Sequence, residues 1–154
     1  MNELQSIQVN GDTVSAIGNP VILQAHKIGV LSSRKCPAAR ILEAHERFKQ
    51  FAAEDRTVVS GFHSPLEREC LRLMLRDGGK IIICLARGLG TMRIKKEWRP
   101  AVGEGRLLLI SQFKPEIRHI TKEQTLKRNQ LVISLADELY TPYVANGGEL
   151  SRLL

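Results

Sequence analysis

Apolar residues follow two kinds of pattern along the chain. Short unbroken runs, "KIGVLSS" (27–33), "RTVVSG" (56–61), "KIIICLA" (80–86), "RLLLIS" (106–111) and "DELYTPY" (137–143), have the length and continuity of buried strands. Between them apolar residues recur at helical spacing. Ile41, His45, Phe48 and Ala52 fall at i, i+4, i+7 and i+11, which predicts a helix after Pro37 with those residues facing the core. "SPLERECLRLMLRDGG" (64–79) predicts a second helix, stopped at Gly78-Gly79. Thr121 with Gln124 has capping-box spacing and opens a helix through "KEQTLKRNQLVISLA". "VANGGELSRLL" (144–154) is a turn into a short final helix.

Strands that alternate with helices predict one α/β domain over residues 1–154. Its core is a Rossmann-like, mostly parallel sheet of about five strands with helices on both faces. "DTVSAIGNPVILQ" (12–24) is expected to add only a small edge element. In such sheets ligands bind beyond the carboxyl ends of the strands, near the point where the strand order reverses. The candidate site is therefore built from the residues after each strand: Ser33-Arg34-Lys35, Gly61-Phe62-His63, Arg87-Gly88, Gln112-Phe113 and Asn146-Gly147-Gly148.

Composition narrows the function. The chain has 154 residues, 43% hydrophobic and 25% charged, as expected of a globular protein with a sizeable core. No apolar run nears the ~20 residues that span a bilayer, and the start lacks a secretory pattern. A cytoplasmic protein is expected, with no membrane partner. The net charge of +7 favours a polyanionic partner. The segment "RGLGTMRIKKEWR" (87–99) concentrates that charge, with five basic residues and one acid. Arg34, Lys35, Arg87, Arg93, Lys96 and Arg128 are phosphate-binding candidates, because the arginine fork suits phosphate. Trp98, or Phe62, is a candidate to stack on a base. The alternatives are an ordinary solvated loop with Trp98 folded onto the core, and a surface Arg128 paired with Glu123 or Glu138.

Catalytic and metal motifs are scarce. There is no Walker A sequence and no H-E-x-x-H; "GLG" (88–90) lacks the third glycine of a dinucleotide site. The four histidines lack metal-ligand spacing, and the three cysteines, Cys36, Cys70 and Cys84, form no C-x-x-C. No cofactor or metal is expected. Cys36 follows Arg34 and Lys35, a setting that lowers a thiol pKa. His63 and Glu67 could form an acid–base pair. Against this, Ser64, Pro65 and Glu67 fit N-cap, N1 and N3 of a helix, an S-x-x-E capping box. A carboxylate there would repel a phosphate from that helix end.

Six segments in register, "IGVLSSRKCP", "VVSGFHSPLERECL", "IIICLARGL", "GRLLLISQF", "KRNQLVISLADELYTPY" and "NGGEL", resemble the Rossmann-like domain of the DprA/Smf DNA-processing proteins. These lie within the SLOG nucleotide-recognising superfamily, and the chain is most similar to a small stand-alone subgroup. The resemblance covers roughly residues 14 to 154. It implies a non-enzymatic domain that binds single-stranded DNA or a nucleotide at the strand ends, with a recombinase partner and a homodimer as further expectations. By position it implies roles for Ser33 and Arg34 (the Ser-Arg turn), Ser60 and Gly61 (the start of "SGGARGID"), Arg128 and Asn129 (the "RN" pair), and Asn146, Gly147 and Gly148 (the late small-residue turn). In "SGFHSPLE" the family's second glycine is Phe62, its arginine Ser64, its next glycine Pro65 and its aspartate Glu67. The family's last strand and a winged-helix tail are expected to be missing, so duplex contacts are not expected. "NGGELSRLL" lacks the proline, threonine and glutamate of the phosphoribohydrolase loop. A nucleotide-processing enzyme using His63 and Glu67, and a sensor or self-associating module, stay open as alternatives.

Overall fold

The computed structural model describes residues 3–154. A seven-stranded sheet forms its centre, in the order β1-β2-β6-β5-β4-β3-β7. The strands are β1 (Gln5–Val9), β2 (Asp12–Ile17), β3 (Lys27–Val30), β4 (Thr57–Ser60), β5 (Lys80–Cys84), β6 (Leu107–Ser111) and β7 (Glu138–Tyr140). The five predicted strands are β3 to β7, and the pairings among them are all parallel. Every residue of β3, β4 and β6 is buried. That is why these strands are apolar on both sides.

The count of about five strands and the single edge element are corrected by the amino-terminal hairpin. β1 and β2 pair through a two-residue turn at Asn10-Gly11, both with positive φ, 52° and 84°. That is a type I′ turn, for which Asn-Gly is the favoured pair. β2 then pairs antiparallel with β6, Ala16 opposite Ile110. β2 therefore lies inside the sheet and β1 takes the edge.

Alternate residues along each strand face opposite helical layers. Val58, Ile81, Ile83, Leu107 and Leu109 join one core with α1 (Ala38–Ala53), α2 (Pro65–Asp77) and α3 (Arg99–Gly103). Val59, Ile82, Cys84, Leu108 and Ile110 join the other, with α4 (Lys122–Leu135), α5 (Glu149–Leu153) and the 3-10 turn Pro20–Gln24. The inward stripe of α1 is Ala44, Phe48 and Phe51, one residue round from the predicted face. Ile41 is 41% exposed and His45 is half-buried, 3.9 Å from Glu69. Rings of Phe48 and Phe51 meet Tyr140 edge-on at 6.0 and 5.7 Å, which sets the rotation of α1 against β7. No helix among the described residues is long and apolar enough to cross a membrane.

The chain steps from β3 through β4 and β5 to β6 in one direction. α4 then returns it across the opposite face to β7, beside β3. The turn after β3 leads to α1 on one face, and the turn after β7 leads to α5 on the other. A crevice opens between them, the switch point at which ligands bind in open α/β sheets.

The cap that starts α2 was legible in advance. Ser64 Oγ accepts the Glu67 N–H at 3.4 Å, Glu67 Oε1 accepts the Ser64 N–H at 3.3 Å, and Pro65 is the first helical residue. Gly78 ends the helix at φ 80°. Ser64→Ala should lower stability by about 0.5–2 kcal/mol, measured as a reduced urea midpoint at unchanged slope.

Candidate functional site

The cleft is held together by one carboxylate. Glu67 is buried in the first turn of α2. Its Oε2 accepts the Ser32 N–H at 2.9 Å, and its Oε1 accepts the His63 N–H at 2.9 Å as well as that of Ser64. The turns after β3 and β4 are thereby tied to each other. Ser33 continues the chain of bonds. Its N–H donates to Tyr143 O at 2.7 Å, and its Oγ accepts the Ala145 N–H at 2.9 Å. Glu67 and Ser33 therefore act as positioning groups. Glu67 thus already accepts three backbone N–H groups.

The β4–α2 turn departs from the expectation that Phe62 is free to stack on a base. Phe62 is 6% exposed and its ring joins the core. A buried ring next to α2 lowers the free energy more than an open one, so the ring turns inward. Its backbone keeps the left-handed conformation, φ 50°, that a glycine would adopt freely. A non-glycine residue there costs about 1–2 kcal/mol, and the bond from Phe62 N–H to Ser60 Oγ, 3.0 Å, helps to hold it. Ser60 is fully buried in this role and does not reach the cleft. His63 is exposed and does face it. Its pKa lies below the usual histidine value, first through burial and then through the neighbouring cations Arg128, Arg34 and Arg68, with Glu67 opposing.

Arg128 is the central group. It comes from α4 on the far face and reaches over Gly61, where a Cβ would overlap its guanidinium. That close approach requires glycine at position 61. The side chain is 4% exposed. Its sole hydrogen bond among the described residues is from Nε to Asn129 Oδ1, 2.8 Å, and no carboxylate lies within ion-pair distance. The alternative of a surface ion pair does not hold: Glu123 pairs with Lys127 and Glu138 with Arg56. Burial disfavours the cation, and Glu67 offsets this only in part.

Two cavities meet at this residue. The smaller, about 280 Å³, lies at the switch point between Ser33, Arg34, Asn129 and Gly148. The larger, about 630 Å³, runs over the ends of β4 and β5 beside Arg87 and Trp98. His63, Thr125 and Arg128 border both. Trp98 is 7% exposed and part of the core, at the border of the larger cavity, so the expected open indole is corrected. Its position at the start of α3 places the ring under that helix, and Lys95 Nζ sits 5.0 Å from the ring centre. Arg87 also donates to Gly88 O at 3.1 Å, which fixes it at the rim. Lys35, Arg93 and Lys96 are exposed and border neither cavity, and neither do Asn146 and Gly147. Arg68 and Thr125 border the site and were not anticipated. The signal for Arg68 was its place directly after the capping glutamate. For Cys36, burial pushes the thiol pKa up, with Arg40 opposing.

The family model of DNA recombination-mediator protein A matches residues 2–144. The chain belongs to this family. Among solved structures, it is similar to DNA processing protein A (DprA) from Streptococcus pneumoniae. The TM-score is 0.71 at 19% identity, over 90% of this chain and 54% of that one. It is also similar to DNA processing protein A from Helicobacter pylori, whose structure is described for a unique single-stranded DNA binding mode. There the TM-score is 0.77 at 16% identity, over 98% of this chain and 75% of that one. At these identities the two likenesses show the shared fold, and the chain spans about half the length of the pneumococcal protein. No curated protein matches it.

Two outcomes follow from the site's electrostatics. Arg128→Met removes a buried charge that has no carboxylate partner, so stability should be unchanged or higher. Urea unfolding measures this, and a loss above ~2 kcal/mol would assign Arg128 a structural role instead. For His63 the folded pKa lies below the unfolded value of 6.5. The folded state therefore binds fewer protons once the pH drops below that value. Stability should decline with acidification from about pH 6.5 down to the folded pKa of His63, and His63→Gln should flatten that decline while leaving stability above the window unaffected.

Proposed function

We propose that this domain binds single-stranded DNA through backbone phosphates at the switch-point crevice, without catalysing a reaction on it. The observation that carries the reading is Arg128, a buried cation with no carboxylate partner that opens into both cavities. A largely buried guanidinium whose terminal nitrogens open to the crevice is well placed to receive an anion from outside the chain. Arg34 at the mouth of one cavity and Arg87 at the rim of the other extend the track in both directions. Lys35, Arg93 and Lys96 add diffuse attraction rather than seats. Membership of the DNA recombination-mediator protein A family and the likeness to the Helicobacter pylori protein support a single strand as the ligand.

A binding role is favoured over catalysis by Glu67. Its oxygens are taken up by three backbone N–H groups, so the acid–base pair with His63 has no free base. The same proposal carries a cytoplasmic location, and a recombinase partner that rests on family membership alone. For a homodimer the supporting observation is β7. It ends the sheet with one edge unpaired, with Leu139 42% exposed and Leu42 of α1 73% exposed.

Labelled oligothymidylate should bind at low salt, with an affinity that falls as salt rises. Arg34→Ala, Arg87→Ala and Arg128→Met should each reduce the log–log salt slope by ~0.7. Absence of binding at low salt, or slopes that these variants leave intact, would refute the reading.

A further inference from the structure

We infer that the larger cavity is a nucleobase slot, so that the preferred ligand is an oligonucleotide whose bridging phosphate sits on Arg128. The inference rests on the phosphate-binding reading above and extends it from anion to strand.

The partition between the cavities carries the argument. Arg128 borders both, with His63 and Thr125 beside it. A phosphate on this guanidinium therefore has a cavity on each side. That is the geometry of an internucleotide linkage, with a nucleoside to either hand. A mononucleotide would fill one side only.

The two cavities also differ in chemistry. The larger has an apolar floor of Phe62, Leu71, Leu75, Met92, Trp98 and Ile120. Leu75 and Met92 are only partly buried and Ile120 is 57% exposed, so the chain leaves this surface uncovered. Its volume of about 630 Å³ falls in the ~300–1,000 Å³ range of pockets that hold small organic ligands. Its rim is cationic: Arg68, Arg87, Lys95 and Arg128 stand against Glu97, while Arg72 is paired with Glu69. An apolar floor inside a basic rim suits a flat ring that leaves water while its phosphate stays at the edge. Met92 is the contact a ring would use, since thioether sulfur favours aromatic partners, with Lys95 lying over the Trp98 indole beside it. The floor is hydrocarbon and sulfur, so it discriminates little between bases.

The chain has a single tryptophan, Trp98, which makes the slot self-reporting. The test compares a short oligothymidylate with a tetrahydrofuran-phosphate backbone of equal length and charge, and with thymidine 5′-monophosphate. Affinity is read by anisotropy competition and slot occupancy by tryptophan emission. The oligothymidylate should bind about tenfold or more tightly than the abasic backbone, should exceed the monophosphate, and should alone change Trp98 emission. Met92→Asp sets a carboxylate in the slot and should bring the oligothymidylate down to the affinity of the abasic backbone. Equal affinity for base-bearing and abasic strands, with Trp98 emission unmoved, overturns the slot. If binding still depends on Arg128 in that case, the phosphate reading stands by itself. If no oligonucleotide binds, both fall. Should Met92→Asp fail to fold, the wild-type comparison still decides.

Discussion

The carboxylate of Glu67 accepts hydrogen bonds from two different turns, and the shape of the cleft depends on it. Ser32 belongs to the turn after β3, while His63 and Ser64 belong to the turn after β4. Each of these buried N–H groups would cost about 1–3 kcal/mol if left without an acceptor. Through Ser33 the same set of bonds reaches Tyr143 and Ala145, and so the loop before α5. Three separate stretches of chain are thus registered on one another before any ligand arrives. A charged acceptor suits the task because bonds to it are shorter and about twice as strong as neutral ones.

Around that anchor the chain accepts several unfavourable features at once. Phe62 holds a left-handed backbone without being glycine. Arg128 is buried without an ion pair, against the bare backbone of Gly61. His63 is held toward its neutral form by burial and by the arginines around it. None of these stabilises the fold by itself. They converge within one short turn and one helical residue facing it, and such concentrations of local cost are characteristic of binding sites. The two core layers on either side of the sheet provide the stability that tolerates them.

The negative charge of Glu67 also divides the site. It occupies the amino end of α2, the place where a phosphate would otherwise settle. The attractive field is therefore displaced toward Arg128 on α4 and the arginines after β3 and β5. Because α4 crosses the opposite face of the sheet, the guanidinium arrives from behind the turn rather than from within it. In this chain the turn is the seat on which the Arg128 side chain rests.

Much of the fold was readable from local pattern, because strand burial and helix capping are decided within a few residues. The five parallel strands, the Ser64–Glu67 box and the Gly78 stop all follow from such short-range rules. The hairpin was not read, although its turn residues Asn10-Gly11 carry the backbone preference of a tight turn. What the sequence by itself determined was the order of elements, and hence which residues stand at the strand ends. Which of those residues face the crevice was decided only by tertiary packing. Phe62 and Trp98 are apolar rings that can serve a core or a base equally well, and the neighbouring helices drew them inward. Arg128 could have stayed in solvent from its helix. Its burial depends on the space above Gly61, a contact between residues far apart in the chain that no local pattern encodes.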